Sequence, residues 1–285
     1  MMRLLGAELL KLRRRWASYV VLGVLLVLMT LVYVLIGLTS PRGGGLAANL
    51  VIRFPSAYAV INQFIFGLGS LLAVSYAAAI GGADWNWGVL RVIVARGEGR
   101  SRYIAVKFLG LAIACTVGVL IAYAAGIALT FLGAALAGSS AGDPLAGEGT
   151  ATLVRSLVFG TFVLLQRAAI GFAVAVLLRS QVAGVVVGIV LYIGESILST
   201  VLVAISFGGS AFRSLETHDS QWFQFLPFSI GDSVLSAATP SSVSGDLSRM
   251  LLEPVALGAA AFAVGVYLVG ALVVAMVATE RAEIA

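Results

Sequence analysis

Long apolar runs alternate with short polar connectors along the whole chain. Six runs reach the roughly 20 residues that a helix needs to cross a bilayer. They cover residues 16–38, 56–82, 103–136, 153–178, 182–207 and 254–278. None alternates apolar and polar residues as barrel strands do, so backbone groups in lipid must pair inside helices. The pattern predicts an all-α membrane protein with six transmembrane helices in one domain, residues 1–285.

The segment before the first run has a different pattern. Leu5, Leu9 and Leu12 recur at helical spacing, while Glu8, Lys11 and Arg15 lie on another side. This spacing predicts an amphipathic helix that lies in the headgroup layer. The alternative is that the basic residues of this segment only set the topology of the first span.

A second short segment precedes the last run. Residues 222–230 read WFQFLPFSI, so the segment is rich in aromatic residues and interrupted by proline. It is too short to span a bilayer, and aromatic residues are enriched at membrane interfaces. We expect a short extracytoplasmic helical segment that lies in the outer interface or dips back into the membrane.

Composition agrees with a membrane protein. Hydrophobic residues make up 60% of the chain and charged residues 11%, whereas soluble domains have about 25% charged residues. The net charge of +5 is diffuse, so we expect no nucleic-acid partner. The single cysteine, Cys115, has no partner for an intrachain disulfide. Gly184 and Gly188 have the GxxxG spacing, which allows close helix packing or a dimer contact.

The distribution of lysine and arginine predicts the orientation. With the N-terminus inside, twelve of the 18 basic residues fall on the cytoplasmic side and five on the outer side. The cytoplasmic set comprises Arg3, Lys11, Arg13, Arg14, Arg15, Arg91, Arg96, Arg100, Arg102, Lys107, Arg179 and Arg281. Because cytoplasmic loops carry an excess of basic residues, we expect a multi-pass protein of the cell membrane with both termini in the cytoplasm.

The connector between the second and third runs, residues 84–102, is strongly basic. Its four arginines are opposed only by Asp84 and Glu98. On a helix Val89, Val92 and Ile93 share a face, and a polar surface segment does not need this apolar stripe. We expect a cytoplasmic loop that contacts a soluble partner. The positive-inside rule alone is the alternative for the arginines, and burial in the lipid interface is the alternative for the stripe.

Motifs of enzyme chemistry are missing from the sequence. It has no GxxxxGK[ST] phosphate loop, no HExxH and no GxSxG. The only histidine, His218, lies in a polar outer loop, where a solvated side chain is the simpler interpretation than a metal ligand. We therefore predict no catalytic, metal or cofactor site in this chain. An ion gradient or another polypeptide must supply the energy for any transport.

Two ionisable residues lie deep within predicted spans. Arg167 precedes Arg179 by 12 residues and Glu195 follows Gln181 by 14, which places them about 18 and 21 Å along their helices. Each costs about 2.5–3.5 kcal/mol at the centre of a lone helix. We therefore predict that Arg167 and Glu195 form an intramembrane polar pair or face a polar cavity. The pair is either a substrate or proton site, or a structural lock between two helices.

The order of these features resembles a known family, the permease subunits of type-2 ABC transporters. The resemblance covers essentially the whole chain and includes FLPF at 225–228 and TERAEI at 279–284. In the loop after the second span, the family pattern is matched by Asp84, then Gly88-Val89-Leu90-Arg91, then Ala95-Arg96-Gly97, then Ser101-Arg102. This chain departs from the pattern at three positions, with Asp84 for glutamate, Val89 for threonine and Gly97 for proline.

The resemblance implies a division of labour. The chain would be the permease of an exporter and would pair with a second copy or a related permease within the lipid bilayer. Separate cytoplasmic ABC ATPase subunits would bind ATP and magnesium, so this chain would not be an enzyme. The residues implied to couple the permease to its ATPase are Asp84, Gly88, Val89, Leu90, Arg91 and Arg96.

Two other functions remain open. A secondary transporter driven by an ion gradient would use Arg167 and Glu195 as its site. A membrane anchor or receptor without transport activity would not need a charged interior.

Overall fold

The structure is a computed structural model that describes residues 2–40, 50–86, 99–147, 149–208, 223–238 and 255–282. Within these ranges the regular elements are all helical. The helices are α1 (Met2–Arg14), α2 (Trp16–Thr39), α3 (Ala57–Asn86), α4 (Arg100–Leu136), α5 (Gly149–Leu178), α6 (Gln181–Gly208), α7 (Ser229–Ala238) and α8 (Leu257–Glu280). A π-helical turn, Gln63–Leu68, interrupts α3.

Six of the described helices, α2 to α6 and α8, are long and apolar enough to cross a membrane. They coincide with the six predicted runs, which confirms the prediction of an all-helical, multi-pass membrane protein. The main differences lie around the basic connector. Here α3 continues to Asn86 and α4 begins at Arg100, whereas the sequence predicted ends at 82 and 103. Asp84 therefore belongs to a helix and not to a loop.

The centre of the bundle is formed by α3 and α5. Each has 61% of its most apolar stretch buried, against 6% for α6 and 17% for α8. α3 packs against both α5 and α6, and α5 also packs against α8. The outer faces of α6 and α8 carry exposed valine and isoleucine side chains, as expected for helices that border lipid or another subunit.

Close helix contacts in this centre depend on glycine. A Cβ atom at Gly171 of α5 would lie 2.5 Å from the carbonyl oxygen of Val74 in α3. A Cβ atom at Gly184 of α6 would collide with Ala175 of α5. Gly188, one helical turn further along, faces Val74. The GxxxG spacing therefore serves packing within the chain, because small residues allow two helix backbones to approach closely.

α1 folds back against the start of α4, at the end of the bundle that carries the chain's N-terminus. Leu12 is buried there as its spacing predicted, but Glu8, expected on the polar side, is buried as well. Two hydrogen bonds hold the bend between α1 and α2: Ser18 Oγ donates to the Leu12 carbonyl (3.0 Å) and Tyr19 to the Arg13 carbonyl (2.8 Å). α1 is therefore held in a fixed position beside the bundle.

Candidate functional site

A buried charge cluster joins the end of α3 to α1 and α4. The Asp84 carboxylate pairs with the Lys107 ammonium, and both side chains are almost fully buried. The Tyr103 hydroxyl donates to Asp84 Oδ2 at 2.7 Å. Lys11 lies 3.6 Å from Asp84 Oδ1 and 3.5 Å from Glu8 Oε1. We call these five residues the Asp84 cluster.

The Asp84 cluster balances two carboxylates with two ammonium groups. A buried charge is tolerated only when it is paired and hydrogen-bonded, and removing one partner of a buried pair is strongly destabilising. The Asp84 carboxylate has partners on α1 and α4, so the last turn of α3 is fixed to both helices. The cluster can therefore hold a helix end in place, and it offers little free charge to a ligand.

Further contacts fix the neighbouring helix ends. Arg100 at the start of α4 donates to the carbonyls of Glu280 (3.2 Å), the last residue of α8, and of Ala282 (2.9 Å), just beyond it. The guanidinium of Arg179, in the turn between α5 and α6, lies 5.4 Å from the centre of the Trp85 ring in α3. Both helix ends that flank residues 87–98 are thus attached to other parts of the bundle.

Of the predicted coupling residues, only Asp84 lies within the described ranges. Gly88, Val89, Leu90, Arg91 and Arg96 lie outside the described residues.

Asp84 was expected on an exposed connector, but it is only 2% exposed. Its carboxylate cannot reach a soluble partner without leaving Lys107. The helix continues past the apolar run because α4 supplies a buried cation for this acid.

A second polar centre surrounds Arg167 of α5, whose side chain is fully buried. Nη1 donates to the Phe66 carbonyl (2.8 Å) and to Ser70 Oγ (3.1 Å), both in α3. Nη2 donates to the Phe228 carbonyl (3.0 Å) and pairs with Asp232 Oδ1 (2.6 Å). Arg167 therefore connects α3 to the start of α7.

Glu195 of α6 binds the same start of α7 in another way. Its Oε1 accepts the backbone N–H groups of Phe228 and Ser229, each at 2.7 Å. The first N–H groups of a helix have no partner within the helix, and a carboxylate is favoured at that end. Glu195 therefore caps α7. The ring of Tyr192, one turn earlier in α6, packs edge-on against Phe228.

The direct pair predicted between Arg167 and Glu195 is therefore wrong, although the two residues meet one segment as their equal depth suggested. The arginine pairs with Asp232 instead. The sequence signal that identifies Asp232 is its place in the first turn of α7, directly after the proline-broken aromatic segment. The pairing of Asp84 with Lys107 has no comparable signal, because the two residues lie on either side of a connector.

The π turn of α3 lies directly beside Arg167. A π turn widens the helix and disturbs its regular hydrogen bonds, and such turns are frequent at functional sites. The Phe66 carbonyl accepts both Arg167 and Ser70 Oγ (2.6 Å). The next carbonyl, of Gly67, accepts the Tyr192 hydroxyl at 3.1 Å. The turn thus provides acceptors to α5 and α6 at the level of the start of α7.

The segment that leads into α7 enters the bundle deeply. Arg167 lies 12 residues from Arg179, or about 18 Å along α5, and its Nη2 donates to the Phe228 carbonyl. Gln166 donates to the Pro227 carbonyl (2.7 Å) and Tyr267 of α8 to the Phe225 carbonyl (2.8 Å). We call residues 223–238 the re-entrant segment.

Asp232 is the exposed member of this centre. Its side chain is 72% exposed although its partner Arg167 is fully buried. The Asp232 carboxylate is therefore accessible from outside the chain, beside the first turn of α7.

Within the described ranges, no group of three or more His, Cys, Asp or Glu side chains is placed to hold a metal ion. Comparison with models of protein families and with curated proteins finds no match for this chain.

Proposed function

We propose that this chain is the transmembrane permease subunit of an ATP-driven exporter of the type-2 ABC class. In this proposal it forms the substrate pathway with a second copy or a related permease, and separate cytoplasmic ATPase subunits bind ATP and magnesium. The order of motifs along the chain supports the assignment. The observation that carries it is the anchoring of both helix ends around residues 87–98, by Asp84 and by Arg100.

One helix links that segment to the re-entrant segment. Ser70 precedes Asp84 by 14 residues in α3, or about 21 Å, and it contacts Arg167. Arg167 in turn holds the start of α7. A push by a closing ATPase on residues 87–98 would therefore reach the re-entrant segment through α3. No bond chemistry is required of the permease.

The proposed orientation places both termini in the cytoplasm of a cell and α1 in the headgroup layer. The exposed arginines near the end of α1 support this placement. The test uses single cysteines in a Cys115→Ala background and a maleimide that cannot cross the membrane. Added outside intact cells, it should label Asp143→Cys and should not label Gly6→Cys. The reverse labelling would overturn the orientation.

The coupling role is tested by purifying the chain with its candidate ATPase. Replacing Leu90 and Arg91 by glutamate should lower both co-purification and the ATP hydrolysis that the permease stimulates. The matched control replaces Leu145 and Arg155 by glutamate, because both are exposed at the opposite end of the bundle. Equal binding and stimulation in the two double variants would remove the coupling role from this loop.

A gradient-driven transporter is a second candidate function. It is favoured by Asp232, a largely exposed carboxylate that pairs with a buried cation, since ionisable residues within membrane bundles mark ion and substrate pathways. Transport by the purified chain in liposomes, without an ATPase and sensitive to an ionophore, would establish this function. Transport that requires the ATPase and persists with the ionophore would exclude it.

A further inference from the structure

A crevice of about 320 Å³ lies between α1, α2, α3 and α4. Its α2 lining lies between Ser18 and Leu25. Beyond the crevice α2 and α4 are in close contact, and a Cβ atom at Gly37 would lie 2.9 Å from the Gly133 carbonyl oxygen. Within the crevice Gly118 lines the α4 wall, and a Cβ atom there would meet nothing within 4 Å.

The crevice opens sideways, where lipid would surround the bundle. Val117 and Ile121 on its α4 edge are 49% and 44% exposed, and Tyr19 on its α2 edge is 58% exposed. Its α4 wall runs from Ile113 to Ala122, or about 14 Å. This length is close to half of the roughly 30 Å hydrocarbon core, which is the depth that the acyl chains of one leaflet occupy.

The wall offers apolar surface almost exclusively. Leucine, isoleucine, valine and alanine side chains from α1 to α4 supply most of it. The three hydroxyls in the wall already have partners: those of Ser18 and Tyr76 hydrogen-bond to each other, and that of Tyr19 donates to the Arg13 carbonyl. A polar solute would lose its hydration here without finding partners, whereas a hydrocarbon chain would not.

The mouth of the crevice is basic. Arg13 lines the crevice at its α1 end and forms no ion pair with any residue of the described ranges. The nearby carboxylates of Glu8 and Asp84 are already paired with Lys11 and Lys107. The charge left at the mouth is therefore positive, at the level where a phosphate headgroup would lie if α1 borders the membrane surface.

We propose that this crevice binds one anionic phospholipid, with an acyl chain against α4 and the phosphate at Arg13. The proposal holds for either transport mechanism. Lipid bound there would fill the space between α2 and α4 and fix α1 to the bundle, so the occupant is a structural ligand of the permease.

The first test counts retained lipids by native mass spectrometry. The full chain is reconstituted in nanodiscs that contain equal amounts of phosphatidylglycerol and phosphatidylcholine and is then extracted into detergent. We expect one phosphatidylglycerol per chain in the wild type and its loss in Gly118→Trp, which fills the crevice. Gly23→Trp is the control, because Gly23 in α2 also has free space around it but does not line the crevice.

The second test uses the native thiol. Cys115 is the only cysteine and lines the crevice, so a bound lipid should slow its reaction with N-ethylmaleimide. The rate should fall as phosphatidylglycerol replaces phosphatidylcholine. Arg13→Gln should require about fivefold more phosphatidylglycerol for the same protection, which is the effect of one basic residue near an anionic lipid surface. Arg14→Gln should require a smaller increase in phosphatidylglycerol.

Three results would overturn the proposal. One is equal retention of phosphatidylglycerol by wild type and Gly118→Trp. Another is retention of phosphatidylcholine as often as phosphatidylglycerol, because the headgroup would then play no part. The third is a change of oligomeric state in Gly118→Trp alone, which would assign the crevice to a contact between subunits.

Discussion

Replacing Asp232 by asparagine tests whether the polar centre of the bundle is built as the structure shows. Asparagine keeps the size and an acceptor oxygen for Arg167 but removes the negative charge. The guanidinium would then remain fully buried with neutral acceptors only: the new amide oxygen and the oxygens of Phe66, Ser70 and Phe228. Its positive charge would have lost its partner.

The expected loss lies between the values for buried and exposed pairs. Removing one partner of a buried pair costs about 3–5 kcal/mol, whereas exposed pairs contribute about 0–1 kcal/mol. Because the Asp232 side chain is 72% exposed, polar surroundings screen the pair. We expect Asp232→Asn to lower the free energy of unfolding by about 1–2 kcal/mol, or the melting temperature by about 2–8 °C.

The assay is thermal unfolding in detergent, combined in a double-mutant cycle with Arg167→Met. The two substitutions should couple by about 1–2 kcal/mol, because Asp232→Asn leaves no unpaired buried charge once the arginine is replaced. Glu195→Gln is the matched control, since the glutamine oxygen can still accept hydrogen bonds from the backbone N–H groups at the start of α7. An additive cycle for Asp232, or stronger coupling of Arg167 to Glu195, would refute the arrangement described above.

Two further substitutions test the charge cluster and the helix packing. Lys107→Met should destabilise the protein by about 3–5 kcal/mol, and adding Asp84→Asn should restore part of the loss because it removes the stranded buried charge; equal melting temperatures of the single and double variants would contradict this. Gly171→Leu should separate α3 from α5 and reduce the yield of folded protein, whereas Gly270→Leu, with free space around it, should not. Equal yields, judged by size-exclusion chromatography, would contradict the close contact.

Most of the fold follows from hydropathy alone. A span requires about 20 apolar residues whatever surrounds it, so all six runs were predictable, and the ends of α3 and α4 were not. Those ends depend on Lys107, which stabilises Asp84 inside the bundle. That contact joins two helices across a connector and leaves no local pattern in the sequence. The burial of Glu8 in α1 has a similar cause, because Tyr103 and Lys11 lie beside it.

The level of the polar centre along its helices could be predicted, but the partner of each charged side chain could not. Counting 1.5 Å per residue gives the level of Arg167 and Glu195, but not the direction in which each side chain points. The true partner, Asp232, lies 37 residues after Glu195, in a segment that folds back into the bundle. The π turn was also unpredictable, because its sequence QFIFGL resembles any other apolar stretch of a span.

The π turn divides α3 into two parts that are held differently. The first part precedes the turn. Its Asn62 donates to Ser156 Oγ at 3.0 Å and accepts the Tyr123 hydroxyl, so this part is attached to α4 and α5. The other part runs from Ser70 to Asp84. A widened turn has weaker constraints than a regular helix. A push from residues 87–98 should therefore move the part from Ser70 to Asp84 more than the part that precedes the π turn. In the proposed function, the re-entrant segment would then respond through Arg167 while the outer end of α3 stays in place.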